Sequence, residues 1–320
     1  MDCDPGHDDA FALILAAKHL NLLGVTTVAG NQTIEKVTSN ALKILEVIQR
    51  TDIPVHRGSS NPWIQPLETA PMFHGESGLD GPRLPLPTIQ AQSKFAAEFI
   101  RDSANEHKKI SLIATGPLTN LATALQLDDH LSEKIEEIYI MGGSVTFGNW
   151  TPMAEFNIYV DPEAASKVFN SGIPIYLCGL NLTRQAFATE DNLLKPLKKI
   201  GNPVALFCYD LLAFFIKSGY RRFGIRGASL HDACAAGWAI DPSLIQSVDM
   251  HVHVELQGKF TRGMTVCDYR HTSGFDPVVD VDHNPYKKPL GEKPNCSVGV
   301  QLDVNKFFSL LLDAISSFTN

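Results

Sequence analysis

Near-continuous apolar runs alternate with segments of helical period along most of this chain. Residues 22–29 read as a buried strand. Residues 32–50 read as a helix, because Ile34, Val37, Ala41, Ile44 and Ile48 fall on one face. The alternation recurs as strand 109–114, helix 117–127, strand 135–141, helix 161–170 and strand 173–179. Val/Ile/Leu runs that do not alternate with polar residues imply strands buried on both faces, as in a parallel sheet covered by helices. No fixed-period repeat and no linker-like change of composition interrupts the pattern. It predicts one α/β domain over residues 1–320: an open, mostly parallel, Rossmann-like sheet flanked by helices.

Polar or adaptable residues stand at the carboxyl end of each predicted strand. Asp4, Asp8 and Asp9 follow the first, Asn31 the second and Thr115 the third. Met141-Gly142-Gly143 ends the strand at 135–141, and Asn181 follows the last. Open α/β sheets bind ligands beyond these ends, so five strand ends aim at one site. Two loops exceed what packing requires. Residues 59–91, with six prolines and Phe73-His74-Gly75-Glu76, are the better candidate for an active-site lid; 268–297 reads as solvated surface.

Composition narrows the function. Of 320 residues, 44 % are hydrophobic and 19 % charged, and the net charge is −8, the wrong sign for a general nucleic-acid binder. No uninterrupted apolar stretch of about 18 residues occurs, so no membrane span is expected. The six cysteines lie far apart with no C-x-x-C pair, which reads as reduced thiols of a cytoplasmic protein.

Asp2-Cys3-Asp4-Pro5-Gly6-His7-Asp8-Asp9 puts four carboxylates within eight residues. Such crowding is unfavourable unless solvent or a cation relieves it. Two readings are open: solvated acids at a helix start, or a hard-cation site of oxygen ligands, with Ca²⁺ favoured over Mg²⁺ if many protein oxygens converge. His231-Asp232 opens a later helical run, 232–240, either as a plain helix start or as a ligand beside an imidazole suited to proton transfer. Between them, Asn149, Glu155 and Asn157 lie in a Gly-bounded loop and suit vicinal hydroxyls, each of which donates and accepts. Asp161-Pro162 reads as an ordinary helix cap.

Seven segments in order, together, resemble the nucleoside hydrolase family, of the inosine/uridine-preferring type. They are the D-x-D-P-G-x-D-D opening, Val28-Ala29-Gly30-Asn31, Thr115-Gly116-Pro117-Leu118-Thr119-Asn120, Met141-Gly142-Gly143, Ala154-Glu155-Phe156-Asn157, His231-Asp232 and Thr261-Arg262-Gly263. The resemblance implies the nucleoside hydrolase fold and hydrolysis of a ribonucleoside to ribose and free base. It implies one Ca²⁺ held by Asp4, Asp9, Asp232 and the Thr115 carbonyl, with Asp4 also the general base. Asp8, Asn157 and Glu155 would hold ribose hydroxyls, Asn149 would lie near the 5′-hydroxyl, Met141 under the sugar, and Asn31 among the substrate-binding residues. His231 would serve the leaving base, and His74 would cover it, where purine-specific relatives carry tryptophan. A homodimer or homotetramer is implied as well. Cleavage of a ribosyl C–N bond passes through an oxocarbenium-like sugar, which carboxylates around the ring favour.

One feature departs from the family pattern. The strand before Asp4 is cut to about three residues, which predicts a poorly fixed Asp4. The alternative reading is therefore an impaired relative that binds calcium or ribonucleoside without turnover. An aspartyl phosphohydrolase explains less: Gly6 stands where that class needs threonine, and His231-Asp232 is left over. In the aromatic segment 214–223, Phe214 and Phe215 read as core and lid packing, while Phe215, Tyr220 and Phe223 are also offered to the base pocket, which leaves base preference open. Asp280-Val281-Asp282-His283 reads as solvated loop, and His251 and His253 as one face of a strand.

Overall fold

The computed structural model describes residues 1–107, 109–270 and 292–318. The notable sequence at 280–283 lies outside the described residues. Eleven strands are present among them: β1 (Asp2–Cys3), β2 (Val25–Thr27), β3 (Val55–Arg57), β4 (Ile110–Ala114), β5 (Ile135–Met141), β6 (Ile175–Cys178), β7 (Phe187–Ala188), β8 (Ala228–Ser229), β9 (Ile245–Val254), β10 (Thr265–Asp268) and β11 (Cys296–Leu302). Nine form one sheet in the order β10-β9-β11-β6-β5-β4-β1-β2-β3, while β7 and β8 form a separate ribbon. Pairing is parallel from β11 through β3; β9 runs antiparallel to β11, and β10 to β9.

The site depends on six helices: α1 (His7–His19), α2 (Ile34–Val47), α3 (Phe156–Val160), α4 (Leu180–Thr183), α5 (Pro203–Phe223) and α6 (His231–Ile240). Helix α1 is buried from His7 to Ala17, and α6 is buried along most of its length. A polar face would be wasted on such helices, and their apolar content on nearly every side follows. The predicted elements are all present, with ends that match the predicted bounds or differ from them by up to three residues.

Helix α5 is long and apolar enough to cross a membrane by length and composition, and it buries one face, Val204, Ala205, Phe207, Cys208, Leu211 and Leu212, in the protein. One expectation is corrected here. Asp4 is not loosely held. Although β1 has only two residues, both flanks bond it: Thr26 N–H donates to the Met1 carbonyl at 2.8 Å, Val28 N–H to Cys3 at 3.1 Å, and Thr115 N–H to Asp2 at 2.9 Å. Neighbouring strands supply the order that strand length does not.

Candidate active site

Asp4 leaves β1 at the carboxyl edge of the sheet and is fully buried. Its Oδ2 accepts the Asn31 backbone N–H at 2.7 Å, and its carbonyl accepts the Asn31 side-chain amide at 3.2 Å. Two glycines allow this approach: a Cβ on Gly30 would lie 2.2 Å from Asp4 Oδ2, and one on Gly116 2.8 Å from Oδ1. Among the described residues Asp4 Oδ1 has no hydrogen-bond partner. Buried oxygens are rarely left so.

Asp9 is tied down more fully. It accepts the Gly6 N–H at 2.8 Å, the Thr115 hydroxyl at 2.9 Å and the Asn31 amide at 3.3 Å. Ligand oxygens of Asp8, Asp9 and Asp232 lie within 4.8 Å of one another, all three buried. Burial, reinforced by mutual repulsion, pushes the carboxyls of Asp4 and Asp232 well above the usual range and Asp8 up to about 7. Four carboxylates in one dry site cannot all ionise unless a cation neutralises them. The donor set is all oxygen, one member has a free lone-pair face, and a hard divalent ion fits.

Above this floor opens a cavity of about 610 Å³, lined by Asp8, Asn31, His74, Thr115, Met141, Asn149, Glu155, Asn157, His231 and Asp232 among others. Of the expected site residues, Asp4 and Asp9 lie beneath it. Asn181, expected to aim at the site from the last strand end, does not line it: its amide donates to the Gly299 carbonyl at 2.9 Å and its side-chain oxygen accepts the Val145 N–H at 3.3 Å. Glu155 caps α3, its carboxylate accepting the N–H groups of Asn157 at 3.0 Å, Gly143 at 2.9 Å and Ile158 at 3.2 Å. Burial nonetheless pushes it up to about 7. Asn157 donates its amide to the Thr115 carbonyl at 2.8 Å and to Met141 at 3.1 Å, which leaves its side-chain oxygen to accept. Asn149 does the reverse: its oxygen accepts Phe156 N–H at 2.9 Å, which leaves its amide to donate.

An aromatic wall closes one end. His74 lies 3.1 Å, Nδ1 to Nδ1, from His7, whose Nε2 donates to the Asp80 carbonyl at 2.8 Å. His7 stacks between His74, Phe214 and Phe215 at centroid distances of 5.1–5.3 Å. Phe73 of the proline-rich loop stacks on Phe223 at 6.0 Å. Phe214 and Phe215 of α5 thus pack as expected, Phe215 and Phe223 also line the cavity, and Tyr220 and Phe223 are largely exposed. Opposite, His231 Nδ1 lies 2.7 Å from the Thr183 hydroxyl, and burial, then Arg184, pushes its pKa down to about 4.

Residues 1–309 match the inosine-uridine preferring nucleoside hydrolase family. The chain belongs to that family. It is a ribonucleoside hydrolase, an enzyme of N-glycosyl bonds. The pyrimidine-specific ribonucleoside hydrolase RihA of Shewanella sp. (strain MR-4) is 45 % identical, over 100 % of this chain and 96 % of its own. RihA of Escherichia coli (strain K12) is 43 % identical, over 99 % and 98 %. Among solved structures, the purine-preferring ribonucleoside hydrolase from Gardnerella vaginalis superposes with a TM-score of 0.88 at 29 % identity, covering 99 % of this chain and 97 % of that one. The plant nucleoside hydrolase PpNRh1 gives 0.87 at 32 %, covering 99 % and 98 %.

Sequence reasoning missed three residues of this nucleoside hydrolase site. His7 occupies the variable position of the acidic motif, and nothing at short range links it to His74, 67 residues away. Thr183 and Arg184 sit one turn beyond Asn181, where strand-end logic stops. Their signal is the spacing from β6: a short helix after a buried strand carries its last residue, Thr183, and its C-cap, Arg184, back over the site.

Proposed function

We propose that the chain hydrolyses pyrimidine ribonucleosides, releasing ribose and free base, with one Ca²⁺ held by Asp4, Asp9, Asp232 and the Thr115 carbonyl. The observation that carries this reading is the buried, partnerless Asp4 Oδ1 beside three converging carboxylates at the cavity floor. Pyrimidine preference rests on the two relatives above 40 % identity, both named pyrimidine-specific, and on His74 at the aromatic end. When bound, the ion neutralises the carboxylates and lowers the pKa of water beside it.

The remaining roles belong to the chain. Asp4 keeps Oδ2 on the Asn31 N–H and turns Oδ1 to the attacking water, from which it takes a proton. Asp8 and the free oxygen of Asn157 accept ribose hydroxyls, and Asn149 donates its free amide toward the 5′-hydroxyl. Glu155, fixed by three N–H groups, opposes the positive charge that develops on the sugar ring. Met141 packs beneath the sugar. His74 and Phe215 flank the base, and His231, neutral near pH 7, meets its leaving side through the nitrogen not facing Thr183.

The binding-only alternative rested on a loose Asp4 and has no support in the geometry. A cytoplasmic homodimer or homotetramer accompanies the reading, and sedimentation of the purified chain tests the assembly. Initial rates of ribose release from uridine, cytidine, inosine and guanosine test the preference. Uridine or cytidine is expected to exceed both purines; a faster purine would overturn the pyrimidine assignment while leaving the hydrolase intact.

A further inference from the structure

Arg184 lines the cavity beside His231. Among the described residues its guanidinium has no hydrogen bond and no ion pair. Its Cζ lies over the Phe147 ring, 4.2 Å from the centroid, a cation–π contact that leaves its five N–H donors unspent. Burial is the one cause that acts on its pKa, and it lowers it; an adjacent carboxylate would do the opposite. Unpaired guanidinium groups in a cavity with acidic residues nearby are uncommon, because an ion pair is the easier arrangement.

Its address is specific. Arg184 immediately follows Thr183, the residue that holds His231 Nδ1 at 2.7 Å, and it is the charged group that bears on that imidazole. Phe187, Ala228 and Ser229 of the β7–β8 ribbon line the same wall. Under the reading above, His231 meets the leaving side of the base, and Arg184 stands beside His231.

We propose that Arg184 is a catalytic residue that donates hydrogen bonds to a carbonyl oxygen of the departing pyrimidine. This rests on the pyrimidine ribonucleoside reading above. In the step, the C1′–N1 bond breaks and its electron pair stays on the base. Water supplies hydroxide to C1′, and its remaining proton ends on the base, so uridine and water give ribose and uracil. The guanidinium transfers no proton. It stabilises charge that spreads from N1 to the ring carbonyls as the bond breaks, so its contribution is realised in the transition state and appears in kcat.

The test varies the leaving group. Arg184→Met and Arg184→Lys are compared with the unmodified enzyme on uridine, 5-fluorouridine and p-nitrophenyl β-D-ribofuranoside, whose nitrophenolate leaves without help. Arg184→Met is expected to lower kcat on uridine by about 10²-fold. The loss should be smaller on 5-fluorouridine and under about threefold on the nitrophenyl riboside, with Arg184→Lys in between. An equal loss on all three overturns the proposal and gives Arg184 a structural or sugar-side role; so does full activity of Arg184→Met on uridine. A loss on uridine that disappears with 5′-deoxyuridine also overturns it, by placing the contact at the 5′ end. Cleavage of the nitrophenyl riboside but not of uridine by the unmodified enzyme would instead refute the pyrimidine reading, independently of Arg184.

Discussion

Placing a methyl group on Gly30 tests whether Asp4 is positioned as described, without touching its chemistry. The added Cβ would sit 2.2 Å from Asp4 Oδ2 and 2.8 Å from Pro117 Cδ, against 3.4 Å for ordinary contact. Proline cannot retreat easily, so the carboxylate must move by about an ångström. That motion stretches the 2.7 Å bond from Asn31 N–H, a charge-assisted interaction worth about 1.5–3 kcal/mol. It also displaces the partnerless Oδ1. An ångström of misplacement at a reacting group lowers rate by about 10²-fold. Gly30→Ala is therefore expected to cut kcat for ribose release from uridine by about two orders of magnitude and to raise the Ca²⁺ concentration needed for activity, while thermal unfolding shifts by only a few degrees. If the variant keeps kcat within twofold of the original at saturating Ca²⁺, the positioning argument is wrong.

Further outcomes follow from single contacts. Thr183→Val removes the hydroxyl 2.7 Å from His231 and should lower kcat about tenfold with KM nearly unchanged; a change confined to KM would contradict the assigned role. Asp161→Ala, which by sequence loses only a helix cap, also loses bonds from Trp63 N–H at 3.0 Å and the Thr119 hydroxyl at 2.7 Å. Its melting temperature should fall by an amount corresponding to about 2–4 kcal/mol, and a drop no larger than for an exposed cap would refute the added role. Burial raises the Asp2 carboxyl to about 6, above its unfolded value of 3.8, so its contribution to stability is present in full below pH 3.8 and lost as pH rises through 6. Asp2→Asn, melted in chelator, should thus gain stability relative to the original at pH 8, and no such gain at pH 3.5; a pH-independent difference would refute the assignment.

The sheet was readable because parallel strands buried on both faces leave unbroken apolar runs, and β2, β4, β5 and β6 all announce themselves in this way. Some cavity residues, Asp8, Asn31, Thr115 and Met141, were readable from strand ends, while His74, Asn149, Glu155 and Asn157 were read from loops and from the family resemblance. What sequence could not supply was mutual support across the sheet. A two-residue β1 looks inadequate until Thr26, Val28 and Thr115 are seen to bond its backbone from both sides. Asp161 looked like a local cap, yet it joins the proline-rich loop to the segment after β4, a tertiary role that adjacent residues do not reveal. The His7–His74 pair and the Arg184–Phe147 contact join segments 67 and 37 residues apart, and no periodicity encodes such pairs. Asp8 shows a subtler difference: assigned to ribose by resemblance, it converges with Asp9 and Asp232 on one point, so it can serve the ion and the sugar together.

The most direct test of the account is ribose release from uridine by the purified chain, with Ca²⁺ and then with chelator. Release that chelator abolishes and added Ca²⁺ restores is the expected result, and Asp4→Asn should remove it under both conditions. Undiminished release in chelator, or full activity of Asp4→Asn, would contradict the assignment of the buried carboxylates as a cation site that serves the reaction.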